Sequence, residues 1–352
     1  MRMSTVTIEA SEAPCFSHEG LLTPLAEAQN PMDTTKLDAA PTSATPKTPK
    51  SRSPQRKNGD GIHVDIGARL REYIDCLNHA KWDVIGNHLA DTINRNNRTQ
   101  TREDHITRLR SRVEGLASFR VKIDTLLVDK KAQAVAARYI NRVTVADAMM
   151  YVDPVGKTYE FDEQCFVWFD ERGKISRILT LQDNDGIRRQ TPEAPTTPRF
   201  LTRSFPKEPV DLASLYRAYV ASINNHTTKS EFPRLCRREV RHNNRVMSLD
   251  DYRRSMNASQ EAISGLKFEI QELLVDEETQ QVAARLEITG TPIAEFADAK
   301  PNGKSVKFHE HCMYRFDKGK IALVWATMEL DSYRRQLEER PERRKSSMLG
   351  IN

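Results

Sequence analysis

Hydrophobic positions along this chain change their period partway through a segment, and the whole pattern then repeats. From Asp65 to Ala80, Ile66, Leu70, Tyr73, Ile74 and Leu77 fall at three- and four-residue steps, which predicts an amphipathic helix. A shorter helix is expected from Trp82 to Leu89. Thr101-Arg102-Glu103-Asp104 reads as the N-terminal cap of a third, reaching about Leu116. Beyond it the period becomes two: Val121, Ile123 and Leu127 alternate with Arg120, Lys122 and Asp124, as in a half-buried strand. Strands at about 132–146, 158–170 and 174–183 follow. After a proline-rich stretch the order returns, with helices near 211–224, 231–238 and 249–263, then strands near 266–276, 280–290, 305–317 and 320–329. Helices first and an antiparallel meander afterwards make an α+β plan, the helices covering one sheet face.

The second pass copies the first. Asn96-Asn97-Arg98 returns as Asn243-Asn244-Arg245, Leu126-Leu127-Val128-Asp129 as Leu273-Leu274-Val275-Asp276, and Val135-Ala136-Ala137-Arg138 as Val282-Ala283-Ala284-Arg285, each 147 positions on. A period of that size is a duplicated domain, whereas solenoid repeats run roughly 20–50 residues. The most informative stretch starts at Gly303, turns at Asp317-Lys318-Gly319 and returns as a strand ending at Trp325. Alternation puts Phe308, Glu310, Cys312, Tyr314 and Phe316 on one face and Lys307, His309, His311, Met313 and Arg315 on the other. In the first copy Glu163 shares its row with Phe161 and Cys165. A carboxylate inside an apolar row is candidate chemistry: facing a pocket, Glu163 or Glu310 would have a raised pKa and could serve as general base. The competing reading is a structural ion pair with Arg138 or Arg285 on the neighbouring strand, favoured because both partners occur in both copies.

A length of 352 residues fits about two domains. The expected division is a tail at 1–61, a first domain at 62–190, a linker at 191–210, a second domain at 211–337 and a charged tail at 338–352. The first tail has few large apolar side chains and should be disordered. Within it Pro46 to Lys57 carries five cations and no anion beside Thr-Pro and Ser-Pro pairs, a solvated basic tail or else a nuclear-import or phosphorylation segment. The prolines from Pro192 to Pro209 predict an extended linker, and the end from Ser332 reads as a solvated helix. The net charge of +5 is spread thinly and gives little footing for a nucleic-acid partner. Five scattered cysteines without a Cys-x-x-Cys point to a reducing compartment, cytoplasmic with nuclear as the second option. Cys165 and Cys312 read as core residues. His309 and His311 lack a third matched ligand, so no metal is expected. No signal peptide or membrane span is expected either.

The Val-Ala-Ala-Arg strand, the Gly-Lys hairpin start of each third strand and the Phe-Asp-x-Gly-Lys-Ile turn, set behind three helices, resemble a SnoaL-like domain. That family belongs to the cone-shaped superfamily of nuclear transport factor 2, ketosteroid isomerase and scytalone dehydratase. The resemblance covers about 65–190 and 211–337, and is better in the second copy, where Val240-Arg241-His242-Asn243, Gly290-Thr291-Pro292 and Trp325 also fit. It implies two cone-shaped domains, each with three helices packed on a curved antiparallel sheet around a mostly apolar pocket. It also implies acid–base chemistry by a carboxylate, with no metal and no organic cofactor. Counted from the Gly-Lys-Ile turn, the acids on offer are Asp183 and Asp185, then Glu329 and Asp331. The catalytic candidates are therefore Glu310, His242, Glu329, Glu163 and Asp183; the ligand-binding candidates are Trp325, Tyr314, Arg285 and Arg138. The second copy is expected to keep the more family-like pocket, because His242 (Arg95 in the first) and Trp325 occur only there.

One fold hosts enzymes and binding modules alike. One reading is a non-catalytic or weakly catalytic protein that binds a small apolar ligand or a protein partner. The other is a cofactor-independent polyketide cyclase, isomerase or dehydratase. Phe166, Trp168 and Met313 make the opposite sheet faces too apolar to stand in water, which predicts that the two domains pack as a pseudo-dimer within the chain. A homodimer formed by swapping units through the linker is the other option.

Overall fold

The computed structural model describes residues 64–146, 156–189, 191–199 and 210–338. The tail expected at 1–61 with its basic segment, the 200–209 part of the linker and the end beyond 338 lie outside the described residues. The first repeat opens with α1 (Ile66–Asn78), where the Asp65 carboxylate accepts from the Ala68 amide and caps the helix. After α2 (Trp82–Ile85) come β1 (Leu89–Arg95), β2 (Arg98–Thr101) and α3 (Arg102–Glu114), capped by the Thr101 hydroxyl. The meander is β3 (Leu116–Asp129), β4 (Ala134–Val145), β5 (Thr158–Phe169) and β6 (Ile175–Gln182), closed by α4 (Asn184–Arg189). The second repeat has α5 (Leu212–Asn224), α6 (Thr228–Leu235), β7 (Cys236–His242), β8 (Arg245–Ser248) and α7 (Leu249–Ala262). It continues with β9 (Ile263–Asp276), β10 (Gln281–Pro292), β11 (Val306–Asp317), β12 (Lys320–Met328) and α8 (Leu330–Leu337).

The sheet orders, β2-β1-β6-β5-β4-β3 and β8-β7-β12-β11-β10-β9, are the same. The meanders are antiparallel, but β1 runs parallel to β6 and β7 to β12, so each sheet is mixed instead of wholly antiparallel. The β1–β2 and β7–β8 hairpins are additions to the pattern the sequence suggests. Their loops, Asn96-Asn97 and Asn243-Asn244, have positive φ at both residues, a conformation asparagine tolerates and two-residue hairpins need. The β5–β6 turn joins Phe169 to Ile175, while the shorter β11–β12 turn joins Phe316 to Ile321. Beyond the turn, equivalent residues are therefore one position closer, and Thr180 corresponds to Ala326.

Each repeat buries its own core between helices and sheet, around Leu70, Ile85 and Val135 in the first and Leu212, Phe232 and Val282 in the second. A third apolar cluster lies on the opposite sheet faces. It joins Leu127, Ala136, Phe166 and Leu179 of one sheet to Leu274, Ala283, Met313 and Trp325 of the other, with Trp168 at its margin. Contacts here are reciprocal: the Asp129 carboxylate accepts from the Val275 amide at 3.0 Å, and Asp276 from the Val128 amide at 3.4 Å. Gln164 touches its own equivalent, His311, whose Nδ1 lies 3.0 Å from the Gln164 carbonyl, so a pseudo-twofold axis passes between them. Residues 191–199 cross the joint. The Thr197 hydroxyl accepts from Trp325 Nε1 at 2.8 Å and donates to Asp124 at 2.7 Å. At the far edge α4 and α8 are tied by Arg334–Asp185 (2.7 Å) and Arg188–Asp331 (2.6 Å). The start of the expected solvated C-terminal helix is thus packed, with Tyr333 and Leu337 buried and Tyr333 edge-on to Phe308. Among the described residues no helix is long and apolar enough to cross a membrane.

Candidate active site

Among the described residues each repeat has a cavity between its helices and its sheet. The first, about 630 Å³ with its open mouth included, is walled by Leu70, Leu77, Leu109, Val121 and Val167. Among the polar side chains that line it are Tyr73 from α1, His105 from α3, Tyr139 and Asn141 from β4, and Glu163 from β5. Asn141 Nδ2 donates to Glu163 Oε2 at 3.1 Å, and the Thr180 hydroxyl donates to Oε1 in a short contact. The Cys165 thiol, pushed up by burial, in turn donates to Thr180 at 3.1 Å. His105 is depressed to about 4, first by burial and then by Arg95 and Arg108, so the ring is neutral at neutral pH. Its Nδ1 accepts from Gln100 at 2.9 Å, which puts the proton on Nε2, 3.3 Å from the Tyr73 oxygen. The Tyr73 hydrogen is then free for another acceptor. Tyr139 has no hydrogen bond from its hydroxyl among the described residues, and burial raises it well above the usual phenol range, so it remains a donor.

The second cavity, about 350 Å³, is lined by His242, Glu310 and Tyr314 among others. The substitutions between repeats explain the loss of space. Tyr252 stands where the first repeat has His105, Tyr314 where it has Val167, and Tyr216 where it has Leu70. Their rings pack together, Tyr216 to Tyr314 at 4.9 Å and Tyr219 to Tyr314 at 5.8 Å. The donors that hold Glu163 are missing as well, since Ile288 replaces Asn141 and Ala326 replaces Thr180. Burial without those donors pushes the Glu310 carboxyl up to about 7, with only the Cys312 thiol opposing it. His242 is depressed to about 4 by burial and lies 5.8 Å from the Tyr252 ring.

The expected ion pairs of the two glutamates do not form. Directly paired residues share a face, and the register sets Arg138 opposite Gln164 and Arg285 opposite His311, while Glu163 meets Tyr139 and Glu310 meets Leu286. The arginines therefore turn to the joint between the sheets. Arg138 is fully buried, 2.8 Å from Asp124 and 3.4 Å from Asp162, with its guanidinium 3.8 Å above the Trp325 ring. Arg285 Nη1 lies 2.6 Å from His311 Nε2, and burial depresses both groups. Trp325, Arg138 and Arg285 thus sit away from both cavities. So do Asp183, which accepts from the Gly186 amide at the start of α4, and Glu329, which holds His309 at 2.9 Å. The larger cavity is that of the first repeat; of the two residues expected to mark the second, His242 lines its cavity and Trp325 does not. Tyr73, His105, Asn141 and Thr180 of the first cavity were not singled out from sequence. Asn141 was detectable by the same sign as Glu163, a polar residue in the apolar row of Tyr139 and Val143. Among the described residues no group of three or more His, Cys, Asp and Glu could hold a metal ion.

The profile of a family described as SnoaL-like polyketide cyclase matches residues 68–191 and again 213–337. Among solved structures, a SnoaL-like polyketide cyclase from Agrobacterium tumefaciens str. C58 is 34% identical, covering 36% of this chain and 98% of its own, with a TM-score of 0.34. TsrD from Streptomyces laurentii is 18% identical, covering 36% and 93%, with a TM-score of 0.33. An NTF2-like protein of unknown function from Exiguobacterium sp. 255-15 is 14% identical, covering 33% and 98%, with a TM-score of 0.28. No curated protein matches the chain. The two matched segments coincide with the two repeats, and the chain belongs to the SnoaL-like polyketide cyclase family, with the domain present twice.

Proposed function

We propose that the first repeat binds a small, mostly apolar ligand and moves a proton on it through Glu163, while the second repeat is its closed structural partner. The difference between the cavities carries this reading: about 630 Å³ with converging polar groups in one, about 350 Å³ crowded by tyrosines in the other. Glu163, oriented by Asn141 and Thr180, is the general base for a proton on carbon beside a carbonyl. The O–H groups of Tyr139 and Tyr73 are the donors for the enolate oxygen that develops. Returning the proton to a different carbon isomerises the ligand; attack of the enolate on a second carbonyl closes a ring. Neither outcome needs an electron donor. Binding without chemistry fits the second repeat, where Glu310 has lost its two donors. The joint between the sheets is the pseudo-dimer surface in this reading, so a second copy of the chain is not required.

The test uses 2-tetralone in D2O, following loss of its C1 proton signal by NMR. The protein should accelerate exchange. Glu163→Gln should bind the ketone but lose on the order of a hundredfold in acceleration, the scale of general-base catalysis. Val167→Tyr, which installs the second repeat's plug, should abolish binding. An unchanged rate in Glu163→Gln refutes the chemistry, and unchanged binding in Val167→Tyr refutes the site.

A further inference from the structure

The first cavity carries an imbalance of charge that proton transfer alone does not use. Two arginines line it, Arg95 at the end of β1 and Arg112 in the last turn of α3, against one carboxylate, Glu163. Among the described residues neither arginine side chain makes an ion pair or hydrogen bond, whereas most others in the first repeat are engaged: Arg102 with Asp91, Arg138 with Asp124, Arg142 with Glu160 and Arg177 with Glu272. His105 does not shift the balance, because its ring is neutral. The second repeat offers no such field, with His242 in place of Arg95 and Ser259 in place of Arg112. Both cations have therefore been kept beside the open cavity, on two different elements, and neither beside the crowded one. Arg95 is partly buried and Arg112 exposed at the mouth; an unpaired guanidinium is a site for an anion, since it can donate two parallel hydrogen bonds to one oxyanion.

We infer that the ligand of the first repeat is an apolar anion, an apolar body bearing a carboxylate or similar acidic head, seated with the head against Arg95 and Arg112 and the body along Leu70, Leu109 and Val167. This rests on the cavity reading above and names its ligand class. The head group also fixes which end of the body reaches Glu163. A neutral molecule of the same shape fills the apolar walls but leaves both cations without a counter-charge.

The experiment compares two probes with nearly the same aromatic body: 1-anilinonaphthalene-8-sulfonate, which is anionic, and N-phenyl-1-naphthylamine, which is neutral. Both are titrated by fluorescence into the full chain, into Val167→Tyr and into the double variant Arg95→Gln/Arg112→Gln. The anion should bind the full chain more tightly, and more weakly as salt is raised. The double variant should lose about tenfold or more for the anion, the effect of one charge-assisted contact, with the neutral probe held within about twofold. Retained binding of the neutral probe also shows that the double variant is folded. Equal affinities for the two probes, or an anion affinity that survives the double substitution, overturn the inference while leaving the cavity reading intact. If neither probe binds, or if Val167→Tyr changes neither, the cavity reading itself fails and the inference with it.

Discussion

Replacing Glu310 by Gln should stabilise the protein progressively as pH rises from 4.5 towards 7, and by a constant amount above that. The carboxyl is 6% exposed, accepts from the Cys312 thiol and faces no cation, so folding raises it from 4.5 to about 7. The folded state holds that proton more tightly than the unfolded chain does. The contribution of this group is therefore fully present below pH 4.5 and is lost as pH rises towards 7. At about 1.4 kcal/mol per pKa unit, the charged carboxylate costs about 3 kcal/mol once the pH exceeds 7. Gln keeps the shape and an acceptor for Cys312 without the charge. Urea midpoints of wild type and Glu310→Gln should nearly coincide at pH 4.5 and differ by about 3 kcal/mol in favour of the variant at pH 8, with unchanged slope. Other titrating groups cancel in the difference. A gap that is the same at both pH values, or a variant less stable at pH 8, would show that Glu310 has a charged partner and that the register argument is wrong.

Arg138→Ala should cost about 3–5 kcal/mol in the same measurement, because Asp124 and Asp162 are left without their buried cation; a loss below about 1 kcal/mol would contradict the role given to it. Residues 62–190 produced alone should self-associate in sedimentation, since Leu127, Phe166 and Leu179 lose their cover; a soluble, strictly monomeric domain would refute the shared apolar joint.

The duplication, the order of elements and the inward row of each third strand were legible because each is a local periodicity. The partners of Glu163 and Glu310 were not, because they depend on strand register, which no single strand encodes. Arg138 and Arg285 look like partners of those carboxylates until the β4–β5 and β10–β11 pairings show them one step out of phase, on the opposite face. The short hairpins at Asn96-Asn97 and Asn243-Asn244 left a readable trace, an asparagine pair suited to positive φ, but served only to mark the repeat. Trp325 misled for a related reason. It lies on an apolar face, and the sequence does not say which of the two apolar faces meets a helix layer and which meets the other sheet. The smaller cavity of the second repeat could be read only once Tyr216, Tyr252 and Tyr314, from three separate elements, were brought together.

The contact between Gln164 and His311 has a consequence for how such a pair can change. In an assembly of two separate identical subunits, a residue on the twofold axis meets itself, so any substitution there is made twice and must suit its own copy. Joined in one chain, the two sides are free to diverge, and the His311 imidazole now meets the main-chain carbonyl of a glutamine where a homodimer would set like against like. Covalent joining also replaces dissociation by an effective local concentration, of millimolar order for a flexible connection. The paired state should therefore persist at dilutions that would separate two free domains, and the amount of protein present should not determine whether the first repeat's sheet is covered.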